Sequence, residues 1–258
     1  MLLKALIFDV DGTLAETEEL HRQAFNESFA AFGLGWSWDP NLYRQLLQVT
    51  GGKERMRHFI ETAQPPGAER ALGHFAELHA EKTRRYGELA RGGMLKPRPG
   101  VLRLIKEARA AGIKLAIATT TDPANVEALL QASFAPEAVS WFSVVGAGDV
   151  VPEKKPAPDV YLYVLQRLGC APSEAIAFED SENGILAARG AGLTVIATPS
   201  FYTDADDFSQ AQMVLSDLGE EGRPCRQLVG KKLSGGTVTL MDLRDLAGRS
   251  EPADTGTK

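Results

Sequence analysis

Cysteine is scarce in this sequence, with only Cys170 and Cys225 among 258 residues. Their spacing fits neither a metal site nor a redox motif, so we expect buried or idle thiols rather than a disulfide. Long apolar runs are missing too, since no stretch approaches the roughly 20 residues that span a bilayer. The first residues lack the pattern of a signal-peptide cleavage site. These absences favour a cytoplasmic protein that does not bind membranes.

An excess of positive charge is also absent. The 34 acidic residues outnumber the 28 lysines and arginines, and the net charge of −6 argues against nucleic acid as a partner. Any phosphate ligand would therefore need a local cluster of positive groups. The length and the 44% of hydrophobic residues suit one globular domain with a large insertion, or two small domains. We expect a monomer.

Short apolar runs alternate with amphipathic helix patterns in much of the chain. Strands are predicted at residues 4–10, 114–119, 176–178 and 194–197. Helices are predicted from Val101 to a C-terminal Gly112, from Pro123 to about Ala132, and around Tyr161 up to Gly169. The strands lack strict polar alternation, so we predict an α/β fold with a Rossmann-like parallel sheet covered by helices on both faces.

Residues 17–95 differ, because their pattern is helical throughout. Apolar residues from Leu20 to Phe32 form one amphipathic stripe that Gly33 ends. This segment lies between the first strand and the run from Lys96 to Gly100, which predicts a helical cap held by two linkers. We expect a core of residues 1–16 and 96–220 and a cap of residues 17–95. Residues 221–258 are expected to pack partly on the core, with a disordered tail from about residue 249.

Two carboxylates end the first strand, in the run Ile7-Phe8-Asp9-Val10-Asp11-Gly12-Thr13. Alternate side chains of a strand share a face, so Asp9 and Asp11 point together at the strand end where parallel sheets bind ligands. Asp9 can attack phosphorus directly, because an ionised carboxylate needs no activating base. Asp11 can protonate the leaving oxygen and later accept a proton from water, provided that burial beside another acid raises its pKa. Taken alone, the motif also fits a solvated turn.

A second acidic pair, Glu179-Asp180, follows another strand candidate. An anionic nucleophile and an anionic phosphate repel each other, so the chemistry needs a cation, and carboxylate oxygens are ligands that suit Mg²⁺. The same pair could instead cap a helix, through Asp180 or Ser181.

A lysine and a hydroxyl complete the set of motifs. Lys155 offers a compact positive charge for the transferring phosphoryl oxygens, and Thr119 at a strand end can donate one oriented hydrogen bond. Lys154 is the competing lysine. The run Thr119-Thr120-Thr121 also fits a strand end followed by a helix cap.

The four motifs, in their order along the chain, resemble those of the haloacid dehalogenase-like phosphotransferase superfamily. Within it the chain is most similar to the branch of β-phosphoglucomutase and the CbbY sugar-bisphosphate phosphatases, over roughly residues 1–220. The resemblance implies that Asp9, the backbone carbonyl of Asp11, Asp180 and Glu179 bind Mg²⁺. It also implies that Lys155 is the catalytic lysine, because the run that follows it matches the family only from that position.

The cap carries a second group of candidates. The run Gly51-Gly52-Lys53-Glu54-Arg55 resembles the substrate-specificity loop of the family, and glycines before a helix leave N–H groups free for an anion. A plain turn between helices is the alternative. Lys82 aligns with a family lysine that meets the distal phosphate, whereas a solvated basic face would explain Arg84 and Arg85.

Three further groups are expected to contact substrate. His21 lies on the apolar stripe, where it is either a core residue or a residue of the cap hinge. Glu18 could bind a substrate hydroxyl, and Thr119, Thr120 and Thr121 could bind the phosphate end.

The resemblance separates two activities. β-Phosphoglucomutases typically have Gly-Val-Ile where this chain has Gly12-Thr13-Leu14, and a small residue where it has Glu18. The run from Thr17 to His21 resembles instead that of the CbbY phosphatases, which hydrolyse xylulose 1,5-bisphosphate, an inhibitor of rubisco. We therefore predict a Mg²⁺-dependent phosphatase that converts xylulose 1,5-bisphosphate to xylulose 5-phosphate and phosphate through an aspartyl-phosphate. The alternatives are a sugar-phosphate mutase and a non-catalytic binding protein on the same scaffold.

Overall fold

A computed structural model describes residues 2–93 and 95–247 of the chain. The tail that the sequence predicted to be disordered, from about residue 249, lies outside these residues. No helix within them has the length and the apolar character needed to cross a membrane. Cys170 and Cys225 are free and half-buried.

One sheet forms the centre of the fold. Its strand order is β3-β2-β1-β4-β5-β6-β7, and every neighbouring pair is parallel except the antiparallel pair of β6 and β7 at one edge. In the described residues the strands are β1 Ala5–Phe8, β2 Lys114–Ala118, β3 Val144–Gly146, β4 Ala175–Glu179, β5 Thr194–Ala197, β6 Met213–Leu215 and β7 Gln227–Val229.

Helices cover the sheet and form the inserted segment. In the described residues they are α1 Glu18–Ala31, α2 Pro40–Leu46, α3 Gly52–Ala63, α4 Ala68–Gly73, α5 Phe75–Arg91, α6 Val101–Ala110, α7 Pro123–Ser133, α8 Asp159–Leu168, α9 Glu182–Gly190 and α10 Leu240–Ala247. The predicted start of α7 is confirmed, because the Asp122 side chain accepts a hydrogen bond from the N–H of Ala124 and Pro123 is the first helical residue. Ser181, one of two candidates, caps α9.

Alternate residues of the central strands pack into different apolar clusters. Leu6 and Phe8 of β1 face the cluster that includes residues of α6 and α7, whereas Ala5 and Ile7 face residues of α8 and α9. Since a strand has a side-chain period of two, this division places apolar residues on both faces of the sheet. The prediction of a sheet covered by helices on both faces is thus confirmed.

The sheet has three strands that the sequence did not predict, namely β3, β6 and β7. Each is only three residues long, so the apolar pattern that marks a strand is too short to recognise. β7 also makes the sheet mixed rather than fully parallel. It belongs to the segment after residue 220, which further contributes α10 and the buried residues Leu233, Val238 and Leu243 to the main apolar cluster.

Helices α1 to α5 form the inserted segment, which has its own apolar cluster rich in aromatic rings, including Phe25, Phe29, Trp36 and Trp38. It also packs on the core, because Leu20 of α1 and Tyr86 of α5 belong to the core's main cluster. We propose that residues 17–95 form a cap on a core of residues 1–16 and 96–220.

The two linkers of the cap run side by side. Ala15 forms an antiparallel bridge with Pro97, and the N–H of Arg98 donates to the carbonyl of Leu14 over 2.9 Å. The buried Arg98 guanidinium donates to the carbonyls of Gly12, Thr198 and Pro199. This side chain therefore ties both linkers to the loop that follows β5.

Candidate active site

The register of the sheet brings three strand ends to one level. Phe8 of β1 pairs with Ile117 of β2 and with Phe178 of β4. The residues that follow, Asp9 and Glu179, therefore lie side by side at the carboxyl edge of the sheet. The sharp turn after Asp11 needs a glycine, since Gly12 has φ = 75° and a Cβ there would lie 2.0 Å from a carboxylate oxygen of Asp180.

Lys155 lies at the centre of these strand ends. Its Nζ is 2.7 Å from Oδ1 of Asp9, 2.6 Å from Oε1 of Glu179 and 2.9 Å from the carbonyl oxygen of Ala118. Lys154 points elsewhere and donates to Asp149 and to the carbonyl of Gly148. The geometry thus favours Lys155 over Lys154 as the lysine of the reaction centre.

Three buried acids offer a site for a metal ion. One ligand oxygen from each of Asp9, Glu179 and Asp180 lies within 4.8 Å of the others. Oε2 of Glu179 is buried and has no hydrogen-bond partner in residues 2–93 and 95–247. An unpaired buried carboxylate oxygen is costly, so this group requires a partner such as a cation. The donors are all hard oxygens, which fits Mg²⁺.

The charges of this cluster also indicate that it binds a cation. Burial raises the pKa of Asp9 to about 8, with Glu179 adding to the rise and Lys155 opposing it. Burial together with Asp9 and Glu179 raises the pKa of Asp180 well above its usual range. Burial alone would lower the pKa of Lys155, but Asp9 and Glu179 raise it above its ordinary value. One lysine therefore does not balance three buried acids, and a divalent cation would.

Asp11 has a different environment from the one that the sequence predicted. Its carboxylate accepts hydrogen bonds from the hydroxyls of Thr17 and Thr121 and from Nε2 of His21, which is 3.0 Å away. Burial alone would raise the pKa of Asp11, but His21 and the two hydroxyls hold it below its ordinary value. The raised pKa that the sequence analysis required of Asp11 is therefore not found, because three donors stabilise the carboxylate.

His21 joins Asp11 to Lys82 of the cap. Nζ of Lys82 lies 2.8 Å from Nδ1 of His21, and the imidazole stacks on the ring of Tyr86 at a centroid distance of 3.9 Å. Because an ammonium group can only donate, Nδ1 accepts and Nε2 carries the proton given to Asp11. Burial, together with Lys82, lowers the pKa of His21. The sequence left open whether His21 is a core residue or a residue of the cap hinge, and this geometry supports the role at the hinge.

Lys82 differs from the arginines that follow it. It is buried and lies 4.7 Å from the ring centroid of Phe25, and burial lowers its pKa to about 8. Arg84 and Arg85 pair with acids on the helix surface, both of them with Glu81. The solvated basic face thus explains the arginines but not Lys82.

The Gly51-Gly52-Lys53 run forms the N-terminus of α3 and lines the cavity. The first N–H groups of a helix lack partners within the helix, so this end can receive an anion. Nζ of Lys53 lies 2.5 Å from a carboxylate oxygen of Asp149 in the core, and that hydrogen bond raises the pKa of Lys53. Lys53 therefore bridges the cap and the core.

Glu18 and Arg55 are linked through Tyr43. The Tyr43 hydroxyl donates to Oε2 of Glu18 over 2.6 Å, and Nη1 of Arg55 donates to the same hydroxyl over 3.1 Å. Arg55 is buried and lies over the Tyr43 ring, and the described residues provide no carboxylate as its ion-pair partner. A buried guanidinium without an anion is a fitting place for a phosphate oxygen.

The remaining predicted residues have simpler surroundings. The buried Thr119 hydroxyl accepts from the N–H of Thr121 over 3.2 Å. Thr120 and Glu54 line the cavity. Thr13 has a buried hydroxyl with no hydrogen-bond partner in the described chain, so it does not bond to the reacting groups.

Sequence reasoning missed several residues that hold the site. The Tyr161 hydroxyl donates to Oε1 of Glu179, and the Thr203 hydroxyl donates to Asp180 over 3.2 Å. Arg44 of the cap donates to the carbonyl of Tyr202 over 3.0 Å, and Nδ2 of Asn183 donates to the carbonyl of Gln48 over 3.1 Å. Tyr161 fitted an apolar helix stripe, and the other contacts join distant parts of the chain, which no local pattern marks.

The predicted core and cap residues enclose one cavity of about 600 Å³. Asp9, Asp11, Asp180 and Lys155 line its core wall, while Lys53 and Lys82 line its cap wall. Acids with a lysine therefore share one cavity with a second group of cations. This arrangement suits a ligand with more than one anionic group.

Comparisons with known proteins agree with this geometry. Residues 3–192 match the model of the haloacid dehalogenase-like hydrolases. Protein CbbY of Rhodobacter capsulatus is 56% identical over 218 residues, which are 84% of this chain and 95% of that protein.

Two crystal structures of CbbY from Rhodobacter sphaeroides also match. The phosphate complex gives a TM-score of 0.79 at 49% identity, covering 86% of this chain and 97% of the other. The complex with xylulose-(1,5)bisphosphate gives 0.79 at 48% identity, covering 84% and 95%. The chain therefore belongs to the haloacid dehalogenase-like hydrolase family, in its CbbY-like branch, and is a phosphoric monoester hydrolase.

Proposed function

We propose that this enzyme is a Mg²⁺-dependent phosphatase of a small sugar bisphosphate, with xylulose 1,5-bisphosphate as its substrate. The cavity carries the proposal, because its core wall has the acids and its cap wall has Lys53, Lys82 and the buried Arg55. A phosphate at each end of a short carbon chain meets a cation at each wall. The related CbbY structure that contains xylulose-(1,5)bisphosphate supports this substrate.

Asp9, Glu179 and Asp180 would hold the metal ion with their carboxylates, and Asp11 with its backbone carbonyl. When bound, Mg²⁺ neutralises phosphoryl oxygens and the acids that face them. The Tyr161 and Lys155 contacts hold Oε1 of Glu179, which leaves the unpaired Oε2 for the ion. The Thr203 hydroxyl similarly holds Asp180.

With these side chains, hydrolysis takes place in two steps. In the first, a carboxylate oxygen of Asp9 forms a bond to phosphorus while the bond to the sugar oxygen breaks, and the leaving oxygen takes a proton from Asp11. In the second, water attacks the aspartyl-phosphate and gives a proton to Asp11, which releases phosphate and restores Asp9. Lys155 and Thr119 stabilise the charge on the phosphoryl oxygens in both steps.

Asp11 needs a proton for the first step, although three donors stabilise its carboxylate. A bound phosphate brings negative charge close to Asp11 and raises its pKa. The ionised carboxylate that the three donors stabilise is the form that accepts the proton in the second step.

Phosphate release from a panel of sugar mono- and bisphosphates tests the proposal. We expect xylulose 1,5-bisphosphate to release one phosphate per molecule faster than any monophosphate. Chelation with EDTA should abolish turnover and added Mg²⁺ should restore it. Full activity in excess EDTA would contradict the metal assignment. Conversion of β-glucose 1-phosphate to glucose 6-phosphate faster than phosphate release would contradict the phosphatase assignment.

A further inference from the structure

His79 lies in the cavity between the two groups of charged residues but has no place in the mechanism above. It belongs to α5, three residues before Lys82, so the two side chains share one side of the helix. Both residues line the cavity. No local sequence pattern singles out this histidine.

The hydrogen-bonding capacity of His79 is unused. Neither ring nitrogen has a partner within residues 2–93 and 95–247. The other cavity histidine, His21, uses both of its nitrogens, for Asp11 and Lys82. An imidazole that lines a cavity with both nitrogens unpaired can bind a polar group of the ligand.

The backbone of the cap loop keeps space for this ring. A Cβ at Gly52 would lie 3.3 Å from Nε2 of His79, which is tighter than ordinary contact. Gly52 therefore allows the imidazole to lie against the start of α3, next to Lys53. His79 thus lies against the cap loop that carries Lys53, on the helix that carries Lys82.

The electrostatic surroundings define what His79 can bind. Burial lowers the pKa of His79 to about 4, and Lys82 and Lys53 add to this, while Asp122 and Asp149 oppose it. The imidazole is consequently neutral near pH 7, with one donor and one acceptor. A hydroxyl group both accepts and donates and so pairs with both ring nitrogens, whereas a phosphate dianion only accepts and would leave one nitrogen unpaired.

We infer that His79 forms a hydrogen bond with a hydroxyl group of the carbon chain between the two phosphates. This contact determines specificity for a polyhydroxylated substrate. This inference rests on the proposed bisphosphatase function, and it adds the neutral part of the substrate to the charged parts. The lysines select the phosphates by charge, and His79 distinguishes a sugar from a simple diol bisphosphate of similar length.

Two substrates separate this role from a structural one. Xylulose 1,5-bisphosphate has hydroxyls between its phosphates, and 1,5-pentanediol bisphosphate has none. His79→Ala should lower kcat/KM for the sugar by about tenfold and for the diol compound by less than about twofold. His79→Leu, which fills the space without hydrogen bonding, should behave like His79→Ala. His79→Gln should recover most of the loss, because an amide supplies a donor and an acceptor. His58→Ala, which changes an exposed histidine of α3, should alter neither value.

The outcomes distinguish the two proposals. Equal losses on both substrates, or no loss on the sugar, would overturn the role of His79 while leaving the bisphosphatase function intact. If the unmodified enzyme hydrolyses neither bisphosphate but does hydrolyse monophosphates, the proposed function fails and this inference fails with it. Circular dichroism of each variant shows whether the fold is retained, and the Leu and Gln variants decide the question if His79→Ala does not fold.

Discussion

The two walls of the cavity are built in different ways. On the core wall, Asp9 follows β1 and Asp180 follows β4, which are neighbouring strands of one sheet, so the register of that sheet fixes their separation. On the cap wall, Lys53 and Lys82 belong to different helices and contact residues of the other wall or of the hinge. Hydrogen bonds within the core hold Asp9, Asp180 and Lys155, whereas the contacts of Lys53 and Lys82 depend on how the cap meets the core. In the proposed function, the phosphoryl chemistry therefore belongs to the core sheet, and the choice of substrate belongs to the interface of cap and core.

Substitutions in the core wall should reduce kcat the most. Asp9→Asn should fold and bind substrate yet lose at least about 10⁴-fold in kcat, because an amide cannot form the aspartyl-phosphate. Steady-state phosphate release measures this, with Asp207→Asn, a change at an exposed acid bonded to Ser209, as the matched control. More than about a hundredth of normal activity would remove Asp9 as the nucleophile.

The cap wall should instead discriminate between substrates. Lys53→Ala should weaken binding of a bisphosphate by about ten- to a hundredfold, and of a one-phosphate analogue by only a few fold, since only the bisphosphate has a group for it. Asp149→Asn is the opposite control, because it removes the carboxylate that pairs with Lys53 and should tighten bisphosphate binding a few fold. Equal losses for both substrates would show that the loop has only a structural role.

Tyr161, which lies behind the core wall, should affect the binding of Mg²⁺ rather than the binding of the sugar. Tyr161→Phe removes only the hydroxyl that donates to Glu179 and should raise the Mg²⁺ concentration for half-maximal activity by about tenfold, with kcat at saturating Mg²⁺ little changed. Tyr163→Phe, which alters a partly buried tyrosine of the same helix, is the matched control. An unchanged Mg²⁺ requirement would contradict this role for Tyr161.

The smallest effect concerns the charge of Lys82. Its pKa is lowered to about 8 by burial, which Asp11 and Glu18 oppose and Arg55 adds to. A lysine is positive below its pKa, so its attraction for a phosphate is lost as pH rises through about 8. The advantage of the unmodified enzyme over Lys82→Met in kcat/KM for a bisphosphate should therefore shrink by about fivefold between pH 7 and pH 9. A constant ratio over this range would contradict the binding role of Lys82.

Local patterns predicted the core wall well. Asp9, Thr119 and Glu179 all stand where an apolar run ends, and in a parallel sheet such ends meet at one edge. The helix starts were readable for a similar reason, because Asp122 and Pro123 act on the residues next to them.

Contacts between distant segments could not be predicted in this way. The stabilisation of the Asp11 carboxylate depends on Thr121 and His21, which the fold brings together from the core and the cap. The pairing of Lys53 with Asp149 spans 96 positions of the sequence, and nothing near either residue indicates it. His79 was missed because a lone histidine in a helix has no pattern of its own.

The bridge between Ala15 and Pro97 has a consequence for protein engineering. It brings the ends of the inserted cap together, so the insert affects the stability of the core as a loop with its two ends held together would. Loop-closure entropy grows slowly, by roughly 0.6 kcal/mol for each doubling of length, and the core should therefore accept caps of other sizes. A grafted cap would still need apolar residues at the places of Leu20 and Tyr86, where the present one packs into the core. Within that constraint, chimeras joined at these linkers offer a direct way to exchange substrate selectivity on an unchanged catalytic frame.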